Sequence, residues 1–110
     1  ELPAFYTRKS GFNLDYKIDS PEELAELLHT KWELGLNGGA VIANPIPEEY
    51  SMDSEVINKV IKDAVAEAEQ LGVKGKDTTP FLLDKIQKLT EGSSLKANIE
   101  LVFNNTKLAT

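Results

Sequence analysis

Cysteine is absent from the 110-residue chain, and histidine occurs once, as His29. Without cysteine, a disulfide framework, a thiolate zinc site, an iron–sulfur cluster and a cysteine nucleophile are all excluded. A single histidine cannot build a multi-histidine metal site. Basic residues are also fewer than acidic ones, at 12 Lys and Arg against 18 Asp and Glu. This balance argues against binding to the phosphate backbone of a nucleic acid. No apolar run approaches the ~20 residues of a membrane span, so we expect no membrane partner.

What remains is the composition of an ordinary globular protein, with 41% hydrophobic and 27% charged residues. The length allows one domain and a modest core. No signal peptide opens the chain, and the lack of cysteine is compatible with a reducing compartment, so we expect a cytoplasmic protein. The first residue is Glu1, which is not a start methionine, and we therefore expect a piece of a longer chain.

Three short segments have the pattern of β-strands. Residues 5–8 are mostly aromatic or β-branched, and residues 14–18 alternate apolar with charged side chains, so together they predict a hairpin. Residues 40–43 form a short, wholly apolar run, which predicts a buried central strand. Asn44 and the prolines that follow would end this strand, because proline cannot donate a main-chain hydrogen bond.

Four helices are predicted by capping residues and by apolar side chains at helical spacing. Their starts are Ser20 with Pro21, Asp53, Thr79 with Pro80, and Ser94; Gly35, Gly72 and Gly92 end the first three. The predicted fold class is α/β: a helix-rich arrangement of about three short strands and four helices.

Two asparagines are candidate binding residues. Asn98 lies within the apolar stripe of the last helix, where a primary amide needs partners for its donors and its acceptor. It is either a structural residue bonded to nearby backbone or a ligand-binding amide that faces a pocket. Asn44 follows the predicted central strand, where ligands of α/β sheets gather, although asparagine is also common in turns before proline.

Several long and unusual blocks follow one another along the chain. They include Leu2-Pro3-Ala4-Phe5-Tyr6-Thr7-Arg8, Lys31-Trp32-Glu33-Leu34-Gly35-Leu36-Asn37-Gly38-Gly39, Ala43-Asn44-Pro45-Ile46-Pro47-Glu48-Glu49-Tyr50, Thr79-Pro80-Phe81-Leu82-Leu83 and Ser94-Leu95-Lys96-Ala97-Asn98-Ile99. In sequence and in order, these blocks resemble the pseudouridine-5′-phosphate glycosidases, also known as the indigoidine synthase A-like family. The resemblance spans the whole chain.

The resemblance implies that residues 1–110 are the C-terminal portion, about a third, of a three-layer α/β/α enzyme that forms homotrimers. It implies reversible cleavage of the C–C glycosidic bond of pseudouridine 5′-phosphate, a small nucleotide, to uracil and ribose 5-phosphate. The family uses a lysine Schiff base, an acid and a divalent metal, typically Mn²⁺. Their motifs are absent here, so we expect no catalytic residue and no metal ligand in this chain.

One binding residue carries over from the family. Asn98 matches the amide that contacts the base, and we expect it to bind substrate; Asn44 is a weaker candidate without a definite role. Two alternatives stay open. The chain could be a standalone, non-catalytic binding or assembly module, or, as the family's older name suggests, part of a pigment-pathway enzyme.

Overall fold

Four α-helices joined by irregular segments make up the structure, a computed structural model that describes all of residues 1–110. Their order along the chain is α1 (Pro21–Glu33), α2 (Ser54–Gln70), α3 (Thr78–Leu89) and α4 (Ser93–Ala109). Two short 3₁₀ turns, Glu48–Tyr50 and Gly75–Asp77, precede α2 and α3. The prediction of four helices is confirmed.

The predicted starts of α1 and α2 are confirmed. The Ser20 hydroxyl accepts a hydrogen bond from the Glu23 amide at 3.2 Å, and Asp53 Oδ1 accepts from the amides of Glu55 and Val56 at 3.0 Å each. These bonds satisfy amides that have no partner inside the first helical turn. Both caps depend on residues within four positions of the helix start, which is why the local sequence predicts them.

The end of α2 follows the predicted glycine signal. Gly72 takes a positive φ of 71°, a conformation that glycine adopts without steric cost. The amide of Val73 then donates to the carbonyl of Ala68 at 2.9 Å, which satisfies one of the last free carbonyls of the helix. The chain can therefore turn back and bring α3 against α2, where Lys85 forms an ion pair with Glu67 at 2.6 Å.

The predicted start of α4 is wrong by two residues. The helix begins at Ser93, with Gly92 at the capping position, and Ser94 is a buried residue inside the first turn. Its amide donates to the Thr90 hydroxyl at 3.2 Å. The cap thus comes from the end of the preceding helix, because only three residues separate α3 from α4.

The three predicted strands, and with them the α/β class and the three-layer α/β/α arrangement, are wrong for this chain: the structure contains no strand and no sheet. Residues 14–18 and 40–43 form no main-chain hydrogen bond within the chain, and residues 5–8 form one, from the Met52 amide to the Tyr6 carbonyl at 2.9 Å. The apolar patterns indicate a preference for burial, but a strand also requires a hydrogen-bonding neighbour, which this chain does not supply.

The core is a single small cluster that connects both ends of the chain. It joins the N-terminal segment and the segment before α2 to helices α2, α3 and α4, whereas α1 buries no residue. Its seven buried members are Tyr6, Ile46, Ile57, Ala64, Ile86, Ala97 and Leu101.

The predicted apolar stripes of the helices include residues that no other part of the chain covers. On α2, Val56 and Leu71 are exposed, and on α4, Val102 and Phe103 are exposed. The accessible surface is 8363 Å², against roughly 6,000 Å² for a compact protein of this mass. The radius of gyration is 16.9 Å, against about 13 Å for a compact chain of this length. Much apolar surface is therefore left uncovered.

Two adjacent residues of α2 test this small core. Ile57 is 1% exposed and Val56 is 58% exposed. We expect Ile57→Ala to lower the free energy of unfolding by about 2–5 kcal/mol, because it leaves a cavity in the cluster. Val56→Ala should change it by less than about 0.5 kcal/mol. Urea unfolding followed by circular dichroism measures both, and equal midpoints for the two variants would contradict the assignment of the core.

Candidate functional site

A small cavity of about 220 Å³ lies between the facing sides of α3 and α4. It is smaller than the roughly 300–1,000 Å³ typical of sites that hold a whole ligand, so it has room for a group such as a single base. Its lining residues are Tyr6, Leu83, Asp84, Gln87, Ser94, Leu95 and Asn98.

On both helices, residues four positions apart line the cavity. On α3, Leu83 and Gln87 are four residues apart, and on α4, Ser94 and Asn98 are four residues apart, so each pair lies on one helix face. Ser94 is buried beside the core residue Ala97, which fixes the rotation of α4 and orients Asn98 toward the cavity wall. The site is thus a direct consequence of how α4 packs.

Asn98 is half-buried and lines the cavity, as the prediction of a pocket-facing residue requires. Its side chain forms no hydrogen bond with the rest of the chain, whereas Asn104 on the same helix donates from Nδ2 to the Pro45 carbonyl at 2.9 Å. The amide of Asn98 is therefore available to a ligand as both donor and acceptor.

Tyr6 closes the cavity from the N-terminal segment. It is 6% exposed, and burial raises the pKa of its phenol above the ordinary value, an effect that the nearby Ser94 hydroxyl partly opposes. Its ring meets the ring of Phe5 edge-on, with centroids 4.8 Å apart. The phenol is therefore a neutral group in the wall of the cavity.

The only carboxylate of the cavity is paired. Asp84 Oδ2 accepts a hydrogen bond from Lys88 Nζ at 2.7 Å, one helical turn away. The lining therefore offers neutral hydrogen-bonding groups, from Tyr6, Gln87, Ser94 and Asn98, in place of a free charge. Such a set suits an uncharged, planar, polar ligand better than a phosphate or a cation.

Asn44 lies elsewhere. Its Nδ2 donates to Asn105 Oδ1 at 3.0 Å, and it lines a separate, larger groove together with Asn104. The structure therefore does not bring Asn44 and Asn98 into one site, and a substrate-binding role for Asn44 stays a prediction.

The chain holds no group of three or more His, Asp or Glu residues that could bind a metal ion. The residues present thus do not fit a Mn²⁺ site. None of the four helices combines the length and the apolar composition that spanning a membrane would require.

Sequence reasoning did not single out Tyr6, Gln87 or Ser94 as site residues. Tyr6 and Ser94 stand inside blocks that carry the family resemblance, and this is the signal that could have identified them. Gln87 gave no such signal, because a polar residue on a surface helix is ordinary.

The family model described as Indigoidine synthase A like protein matches residues 1–110. The chain belongs to this family. The resemblance seen in the sequence blocks is thereby confirmed over the whole chain.

Curated relatives named pseudouridine-5′-phosphate glycosidase match the chain closely. The protein of Clostridium botulinum is 62% identical over 109 residues, which are 99% of this chain and 36% of the relative. That of Hahella chejuensis is 60% identical over 108 residues, 98% of this chain and 36% of the relative. That of Petrotoga mobilis is 57% identical over 108 residues, 98% of this chain and 35% of the relative. The chain spans about a third of the length of the relatives it matches.

The buried phenol predicts a pH dependence of stability. The folded chain keeps Tyr6 protonated to higher pH than the unfolded chain, whose phenol has the ordinary pKa of 10.0. Its contribution to stability is complete below that value and is lost as pH rises through the raised folded pKa. We expect the Tyr6→Phe variant to lose less stability than the parent chain between about pH 9 and about pH 11.

Urea unfolding at both pH values measures this difference. Tyr16→Phe, at a tyrosine that is 71% exposed, is the matched control and should follow the parent chain. If Tyr6→Phe also followed the parent chain, the phenol would not be held in its neutral form by the fold.

Proposed function

We propose that this chain supplies the base-binding wall of a pseudouridine-5′-phosphate glycosidase. In that reaction the C–C bond between the ribose and the base of pseudouridine 5′-phosphate is cleaved reversibly, with uptake of water, to uracil and ribose 5-phosphate. The proposal is supported by the family, by the names of the curated relatives and by one structural observation: the unpaired Asn98 amide in a base-sized cavity.

The chemistry of the amide suits uracil. One edge of this base alternates carbonyl groups with an N–H, and a primary amide presents a donor and an acceptor side by side. Asn98 can therefore donate to a uracil carbonyl and accept from the neighbouring N–H at the same time. The apolar side chains of Leu83 and Leu95 would contact the remainder of the base.

The charge and size of the cavity also limit which ligands it can hold. It holds no free charge, since Asp84 is paired with Lys88, and it is too small for the whole nucleotide. The ribose and phosphate would therefore lie outside it, against residues that this chain does not contribute. Asn98 is a binding residue in this scheme. The C–C bond between base and ribose is cleaved at the edge of the cavity.

Cleavage of a C–C bond needs an electron sink, since no heteroatom leaves with the base. In the proposed complete enzyme, a lysine outside this chain forms a Schiff base with the opened sugar, and an acid outside it transfers a proton to the uracil carbon. The Mn²⁺ ligands and the surfaces that form a homotrimer would also lie outside the chain. We assign none of these roles to residues 1–110.

A fusion tests the proposed role of Asn98. The chain replaces the matched residues of the Clostridium botulinum relative, and uracil release from pseudouridine 5′-phosphate is measured. We expect Asn98→Ala to lower kcat/KM by roughly 5- to 150-fold, because loss of the side-chain amide costs about 1–3 kcal/mol of binding to the base.

The matched control is Asn58→Ala on the exposed side of α2, which should leave kcat/KM unchanged. A folded fusion without any uracil release would contradict the proposed activity and favour a non-catalytic assembly module. An active fusion in which Asn98→Ala and Asn58→Ala behave alike would remove Asn98 from the site while leaving the activity standing.

A further inference from the structure

A second primary amide lines the Asn98 cavity, from helix α3. Gln87 is half-buried and belongs to the same lining as Asn98 of α4. Its side chain forms no hydrogen bond with the rest of the chain. Every fully buried side-chain nitrogen and oxygen of the protein has a hydrogen-bond partner, so the unpaired amide of Gln87 is accessible to a ligand. Two free amides therefore line one cavity of about 220 Å³.

The turn between α3 and α4 fixes the position of Gln87 relative to α4. Gly92, in the left-handed conformation at a φ of 86°, donates from its amide to the Gln87 carbonyl at 2.9 Å. The Thr90 hydroxyl donates to the Ile86 carbonyl at 2.8 Å and accepts from the Ser94 amide at 3.2 Å. The backbone of Gln87 is thus held by the turn that starts α4, and binding of a base has little backbone left to order.

The other polar side chains of the lining have partners close by. Asp84 Oδ2 accepts a hydrogen bond from Lys88 Nζ at 2.7 Å, and the hydroxyl groups of the buried residues Tyr6 and Ser94 lie near each other. The two amides are therefore the groups of the lining whose donors and acceptors are both free.

The base of pseudouridine 5′-phosphate requires acceptors on two sides. Its ribose is attached at C5, so both ring N–H groups, at N1 and at N3, are free, and they point to opposite sides of the ring. A primary amide has one carbonyl oxygen, which reaches only one of these N–H groups. Burial of the other N–H without an acceptor would offset much of the binding that Asn98 supplies.

We propose that Gln87 is a specificity-determining residue whose side-chain carbonyl accepts a hydrogen bond from N1–H of the base, while Asn98 pairs with N3–H and the adjacent C4 carbonyl. The inference rests on the proposed function, because it requires that the base of the nucleotide occupies the Asn98 cavity. The amides of the two helices then bind the two sides of one ring.

This contact distinguishes a C-glycoside from an N-glycoside. In uridine 5′-phosphate the ribose is attached at N1, so the base has no N1–H to offer to Gln87. A site built around a substrate N–H rejects the analogue that lacks it, because the ligand covers the acceptor and leaves it unpaired. Gln87 thus selects pseudouridine 5′-phosphate over its isomer uridine 5′-phosphate.

Methylation of N1 tests the contact without changing the glycosidic bond. In the fusion with the Clostridium botulinum relative, kcat/KM is measured for pseudouridine 5′-phosphate and for its N1-methyl derivative. We expect methylation to lower kcat/KM roughly tenfold or more, because the donor is lost and the methyl group meets the Gln87 side chain. Gln87→Ala removes the acceptor and makes room for the methyl group, so the two kcat/KM values should come within about threefold of each other.

Gln70→Ala is the matched control, because Gln70 is exposed at the end of α2 outside the cavity, and it should leave the ratio of the two kcat/KM values unchanged. Asn98→Ala should lower both values and also leave their ratio unchanged, since it acts on the other side of the ring. The proposal is overturned if N1-methylation has no effect on the unsubstituted fusion, or if Gln87→Ala and Gln70→Ala give the same ratio.

Binding of the free base separates this proposal from the proposed activity. If the fusion releases no uracil, calorimetric titration with uracil and with 1-methyluracil still measures discrimination at N1, because titration requires no catalysis. Weaker binding of 1-methyluracil that Gln87→Ala relieves would support the role of Gln87 although the activity had failed. Equal binding of the two bases, or binding of neither, would overturn that role.

Discussion

Burial of Tyr6 and Ile46 against α2, α3 and α4 is the constraint on which the structure depends. Only ten residues of the chain are buried, and these two are the members of the core cluster that come from the part of the chain before α2 and pack it against the helices that follow. The Arg8 guanidinium reinforces the same junction by donating to the Ile46 carbonyl at 2.7 Å. Because the cluster is so small, each of its members carries a large share of a marginal stability.

The candidate site follows from this junction. The packing of Ala97 and Leu101 sets the rotation of α4, which places Ser94 and Asn98 along the wall that faces α3. Tyr6, anchored in the core, then closes the cavity. The two features on which the proposed binding of uracil rests, a neutral lining and a free Asn98 amide, are thus products of the same contacts that hold the chain together.

The helices were predictable because the side chains that cap them are close in sequence to the amides that they bind. The absence of strands and the composition of the cavity were not, because they depend on which distant segments lie next to one another. Ser20 and Asp53 cap their helices through amides within three residues, so sequence alone indicates where α1 and α2 begin. The apolar run at residues 40–43 indicated a need for burial, but not that the chain lacks a neighbour to pair with it. Asn98 could be singled out as a polar residue on an apolar face, whereas Gln87 acquires meaning only once α3 and α4 pack together.

The most direct test of the account is a crystal structure of the chain, fused to the remainder of the Clostridium botulinum relative, with uracil bound. The account predicts that the Asn98 side-chain amide lies within hydrogen-bond distance, about 2.7–3.2 Å, of a carbonyl and an N–H of the base, in the cavity closed by Tyr6. Uracil bound elsewhere, with the Asn98 amide facing solvent or paired within the protein, would contradict it.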